Sequence, residues 1–137
     1  MKIVADAQGL GSVIEKILER FPKEGIILLQ GDLASGKTTL VKAFVKALGI
    51  EEGATSPTFM VQQCYGDRVC HYDIYNEGTK KFVESGLLEE LERPGYHFIE
   101  WADEDLKEIL EHYGFDYLTI EIVPKEGKRE YRLHYEA

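Results

Sequence analysis

The segment Gly31-Asp32-Leu33-Ala34-Ser35-Gly36-Lys37-Thr38 constrains this chain more than any other, because it fits G-x-x-x-x-G-K-[ST] without a gap. Its glycines permit backbone conformations that a side chain would forbid, so consecutive amides can turn inward toward phosphate oxygens. Lys37 adds a point charge for the outer phosphates, and the hydroxyl of Thr38 suits magnesium. A helix starting at the lysine would point its positive end at the same anion. The pattern carries weight because its flanks agree with it. Ile26-Ile27-Leu28-Leu29-Gln30 is a short apolar run of the kind found in a strand covered on both faces. Beyond the loop, Leu40, Val41, Phe44, Val45 and Leu48 mark one face of a helix that Gly49 can end in a left-handed cap. A mere glycine turn would not arrive with both. Asp32, Leu33, Ala34, Ser35, Gly36, Lys37, Thr38 and Thr39 are therefore the candidate nucleotide-binding residues, with Lys37 expected on an exposed loop.

The rest of the chain alternates helical and strand patterns. Leu10, Val13, Ile14, Ile17, Leu18 and Phe21 recur at helical spacing before Pro22. Phe59 to Tyr65 and Val69 to Tyr75 read as two strands joined across Gly66-Asp67-Arg68, the second placing Val69, His71, Asp73 and Tyr75 on one face. Phe82 to Leu91 has helical character interrupted by Gly86, and Arg93-Pro94-Gly95 breaks the chain before the apolar strand Tyr96 to Trp101. Asp103 to Tyr113 is amphipathic, and Asp116 to Val123 with Arg129 to Tyr135 form a closing hairpin. No repeat or linker interrupts the 137 residues, so residues 1–137 are expected to form one domain. The expected architecture is a three-layer α/β P-loop fold, its central mixed sheet extended by antiparallel hairpins.

A net charge of -9 repels a phosphate backbone and argues against tight, direct RNA binding. No apolar run approaches the roughly 20 residues of a membrane span, and the start of the chain lacks a signal-peptide core, so the expected address is the cytoplasm. Cys64 and Cys70 have no zinc-like spacing, and in a reducing compartment both are expected as reduced thiols.

Two carboxylates stand out. Glu100 ends an apolar strand, where P-loop enzymes place the acid that organises magnesium and water, although such an acid also serves ordinary solvation. Asp73 is either an acid that orients the attacking water or an exposed acid on a hairpin face. His71 shares that face and reads as structural. The hydroxyls of Ser56 and Thr58, in Ser56-Pro57-Thr58-Phe59, suit a phosphate-sensing switch or a simple turn. Trp101 reads as core packing or as a face for a nucleotide or partner.

Taken in order, Gly31 to Leu40, Ser56-Pro57-Thr58-Phe59, His71-Tyr72-Asp73-Ile74-Tyr75 and Ile99-Glu100-Trp101 resemble the motif series of the TsaE (YjeE) family, over nearly the whole chain. These are bacterial ATPases of tRNA threonylcarbamoyladenosine (t6A) synthesis. The resemblance implies a partner-dependent ATPase that binds ATP with Mg2+ and works with the TsaD and TsaB proteins, touching tRNA only through them. Residue by residue, it gives Lys37 to phosphate, Thr38 and Glu100 to magnesium, Asp73 and Glu100 to hydrolysis, Ser56 and Thr58 to a switch, and Trp101 to the functional surface. The chain departs from the family pattern at Ala34-Ser35, where Gly-Ala is usual, and at Asn76, where arginine is frequent.

Two other readings compete. A small P-loop kinase would need a cluster of lid arginines, whereas Arg68, Arg93, Arg129 and Arg132 are scattered. A nucleotide-gated binding module would use the same loop chiefly as a conformational switch.

Overall fold

The computed structural model describes residues 2–6, 9–31, 37–50, 62–66, 68–74, 80, 83–84 and 86–135. In chain order the elements are β1 (Lys2–Ala5), α1 (Gly11–Arg20), β2 (Gly25–Gln30), α2 (Lys37–Ala47), β3 (Gln62–Tyr65), β4 (Val69–Asp73), α3 (Leu87–Glu90), β5 (Tyr96–Glu100), α4 (Glu104–His112), β6 (Tyr117–Lys125) and β7 (Lys128–Tyr135). The seven strands form one sheet in the order β1-β7-β6-β2-β5-β4-β3. Strand β2 runs parallel to both β5 and β6, and β5 runs parallel to β4. The outer pairs β3/β4, β6/β7 and β1/β7 are antiparallel. This is the expected mixed sheet with hairpins at its flanks.

The continuous apolar run of β2 is explained by cover on both faces. Ile27 and Leu29 belong to one core with Val13 and Ile17 of α1 and Leu40 and Phe44 of α2. Ile26 and Leu28 belong to a second core with Leu106 and Leu110 of α4. Helix, sheet and helix thus make three layers. Phe44 meets the rings of Tyr96 and Phe98 edge-on at 4.9 and 5.0 Å, which docks α2 onto β5. Asp103 caps α4 by accepting the amide of Leu106 at 2.9 Å. Gly49 adopts φ +74 just after α2, in the left-handed conformation its position suggested. No helix among the described residues is long and apolar enough to cross a membrane.

Two features differ from the sequence reading. Strand β1 was not foreseen: it has four residues, and of these Ala5 alone is buried, so its pairing to β7 leaves no strong period in the sequence. Between Phe82 and Leu91 the described helical residues, 83–84 and α3, are interrupted by Gly86 at φ +78, as the sequence reading expected. The expectation of reduced thiols is overturned as well. The β3/β4 register sets Cys64 directly opposite Cys70, with Cα atoms 4.0 Å apart, and the two are joined as a disulfide. Register, which spacing alone could not reveal, decides that pairing.

On the face of β4 and β5 that α4 covers, interior polar groups satisfy one another without charge. The His97 Nε2–H donates to the Arg93 carbonyl at 2.9 Å, which leaves Nδ1 to accept the Tyr72 hydroxyl at 2.8 Å. Burial pushes the His97 imidazole below its usual pKa and the Tyr72 hydroxyl well above its own, so both stay neutral.

Gly95 enters β5 at φ +118, and a methyl group there would lie 2.5 Å from the carbonyl oxygen of Arg68. That carbonyl accepts the Tyr96 amide at 2.7 Å, so the loop cannot withdraw without breaking the start of the β4/β5 pairing. Gly95→Ala is expected to lower stability by about 3 kcal/mol, from backbone strain plus the clash, in urea denaturation followed by circular dichroism.

Candidate nucleotide site

Parallel neighbours carry the phosphate loop and the candidate acids to one end of the sheet. Strand β2 delivers Gly31 and the loop, β5 ends at Glu100, and β4 ends at Asp73. In the β4/β5 register, Asp73 and Glu100 are direct partners, and Glu100 is also the β5 partner of Leu29 on β2. They thus meet at the carboxyl ends of parallel strands, the usual position of a ligand in an open α/β sheet.

Lys37 opens helix α2, and it is not on an exposed loop: the residue is 3% exposed. Its Nζ donates to the Gly31 carbonyl at 2.7 Å, lies 3.8 Å from Glu100 Oε1, and sits 3.6 Å from the centre of the Trp101 ring. A buried ammonium is costly unless electron-rich groups surround it. Here a carbonyl, a carboxylate and a ring face do so. These are the kinds of partner that phosphate oxygens can replace, so the donor arrangement fits an anionic ligand.

Trp101 is held in place at some expense. Its φ is +66, a left-handed conformation that costs a non-glycine residue roughly 1–2 kcal/mol. A largely desolvated cation–π contact contributes up to about 2 kcal/mol, enough to offset that strain. The sequence left Trp101 between core packing and a functional face. The structure sets the half-buried indole against the second core and over the loop lysine.

Glu100 is 5% exposed and His71 8% exposed, and the imidazole Nε2 meets Glu100 Oε2 directly. Asp73 is exposed at the next strand end. Carboxylate oxygens of this kind, beside the first turn of α2, are the hard donors that Mg2+ prefers. Thr38 and Thr39 lie in that first turn, Thr39 exposed, while the side chain of Thr38 is outside the described part. Asp32, Leu33, Ala34, Ser35, Gly36, Ser56 and Thr58 also lie outside the described residues. The structure therefore brings together Lys37, Glu100 and Trp101 and sets Asp73 one strand away. The involvement of His71 was missed, although its alternation with Asp73 was a usable signal.

The family model described as "Threonylcarbamoyl adenosine biosynthesis protein TsaE" matches residues 4–132. Among relatives, the tRNA threonylcarbamoyladenosine biosynthesis protein TsaE of Treponema pallidum is 34% identical over 129 residues, covering 91% of this chain and 90% of that protein. The protein of the same description from Bacillus subtilis is 39% identical over 93 residues, covering 65% of this chain and 58% of its own length. Among solved structures, the crystal structure of Bacillus subtilis YdiB is similar with a TM-score of 0.68 and 27% identity, covering 98% of this chain and 84% of that one.

Lys37→Ala is expected to weaken Mg-ATP binding by roughly 10- to 100-fold, the worth of one charge-assisted contact. Calorimetric titration measures this, and an unchanged affinity would remove Lys37 from the site. Because the lysine is buried against Glu100, the variant should also melt at a different temperature, unlike the loss of an exposed loop cation.

Proposed function

The chain belongs to the TsaE family, and from that premise we propose that it is the partner-dependent ATPase of tRNA threonylcarbamoylation, cycling the TsaD and TsaB machinery that modifies the adenosine beside certain anticodons. The observation that carries the reading is the convergence of Lys37, at the end of the phosphate loop, with Glu100, at the end of the neighbouring strand. The family match extends that geometry from a generic nucleotide fold to a specific pathway.

In this mechanism Lys37 exchanges its protein partners for outer phosphate oxygens, while amides of the Asp32 to Gly36 segment hold the rest of the triphosphate. Thr38 and Glu100 would hold Mg2+, which would supply positive charge to the phosphates and ease attack at the terminal phosphorus. Asp73, one strand away from Glu100, accepts a hydrogen bond from the attacking water. Ser56 and Thr58 belong to a segment that responds to the terminal phosphate, and Trp101 gives up its contact with Lys37 as the lysine turns outward.

The chain's own contribution is energetic. ATP binding and hydrolysis change the partner assembly between rounds of transfer, in the cytoplasm, and the net charge of -9 leaves contact with tRNA to TsaD and TsaB. Hydrolysis is slow in the isolated chain and rises when the partners act on the segment around Ser56 to Phe59 or supply missing groups.

Glu100→Gln and Asp73→Asn are each expected to lower ATP turnover in the full assembly by roughly 100-fold or more, with much smaller effects on nucleotide affinity. The functional assay measures t6A formed over many turnovers with the chain present, absent, or carrying Glu100→Gln. The wild type should give sustained product and the other two reactions a single round or less. Equal yields in all three would sink the reading.

A further inference from the structure

We propose that His71 is a positioning residue for ATP hydrolysis: by engaging Oε2 of Glu100, it turns Oε1 of that carboxylate toward Lys37, the lysine of the phosphate loop. The inference rests on the reading of Glu100 as the site's acid. It adds a residue that the motif reading left to structure.

The geometry comes from the sheet. Strands β4 and β5 are parallel neighbours, and the register partner of His71 is Phe98, two positions before Glu100 on the same face of β5. A side chain at 71 therefore reaches diagonally to the acid, whereas Asp73, the direct partner of Glu100, stands beside it. Both members of the His71–Glu100 contact are buried, so water competes little for either. The two carboxylate oxygens are thereby made unequal. Oε2 is taken by the imidazole, and Oε1 lies 3.8 Å from the Lys37 ammonium.

That asymmetry has a chemical use. The terminal torsion of a glutamate is broad and nearly two-fold, so an unrestrained carboxylate presents its oxygens over a wide range of angles. A single N–H donor on one oxygen fixes the plane of the group, as outer partners do for the ligands of metal sites. An imidazole with a proton on Nε2 donates whether or not Nδ1 also carries one, though more strongly when it does, so this role requires no change in charge. Tyr72 and Ile74, on either side of Asp73 in sequence, are buried in the core of the opposite face, which keeps the backbone of β4 from rotating away.

Three substitutions separate positioning from packing. In the assembly with TsaD and TsaB, His71→Phe keeps the bulk but removes the donor and is expected to lower kcat by roughly 10- to 100-fold with little change in the KM for ATP. His71→Gln places an amide N–H near the site of the lost Nε2–H and should recover most of that loss. His71→Phe at wild-type kcat, Phe and Gln equally impaired, or a rise in KM with kcat untouched would each overturn the proposal. Glu100→Gln is measured alongside. If it hydrolyses ATP normally, the reading of the acid fails; if it is inactive while His71→Phe is normal, this inference alone fails.

A measurement on the wild-type chain covers the case in which His71→Phe does not fold. Nitrogen NMR of histidine-labelled protein should show the His71 proton on Nε2, with a shift when Glu100 is changed to Gln. A bare Nε2 in the wild type would overturn the assignment.

Discussion

A buried lysine stays charged only where acceptors close around it, and much of this molecule can be understood as the supply of those acceptors to Lys37. A glycine directly after β2 presents its carbonyl to the ammonium: Gly31, at φ 149, has its oxygen 2.7 Å away. Strand β5 must lie next to β2 so that Glu100 reaches the same cation, and the sheet order places it there. The residue after the acid must then bend its backbone into an unfavourable region to bring an indole over the charge. Any one of these would be an isolated curiosity; together they describe one electrostatic cage.

The two faces of β4 and β5 solve the problem of interior polarity in opposite ways. On one, Tyr72, His97 and the Arg93 carbonyl satisfy one another as neutral groups. On the other, Glu100 stands between an ammonium and an imidazole. The first arrangement stabilises without inviting a ligand, because no charge is left for one to answer. The second is suited to exchange, since each partner of Lys37 is a group that an incoming phosphate oxygen can displace.

Most of this was legible in the sequence where a single element carries the signal. The phosphate loop announced itself through glycine and lysine spacing, β2 through its unbroken apolar run, and α1 and α4 through helical periodicity. What was not legible depends on register between elements. Glu100 could be picked out as an acid at a strand end and Asp73 as one on a hairpin face, but that they are partners across β4 and β5 follows from pairing. The same holds for His71 against Glu100 and for the Cys64–Cys70 disulfide. Trp101 was ambiguous for another reason: its role comes from a left-handed backbone that bulky residues rarely adopt, and sequence offers no propensity to reveal it.

The sheet order also dictates when the site can exist during synthesis. Strand β2 leaves the ribosome early, yet its neighbours on either side, β5 and β6, are among the later strands of the chain. Until they emerge, Ile26 to Leu29 are an apolar segment without either of its neighbouring strands, a condition that favours aggregation. Parallel pairing of this long-range kind is slow, because the loop must close before any contact rewards it. The phosphate loop is thus translated long before the platform beneath it is assembled. A nascent chain halted before Tyr117 carries every motif residue of the site and still lacks one flank of the strand that supports them.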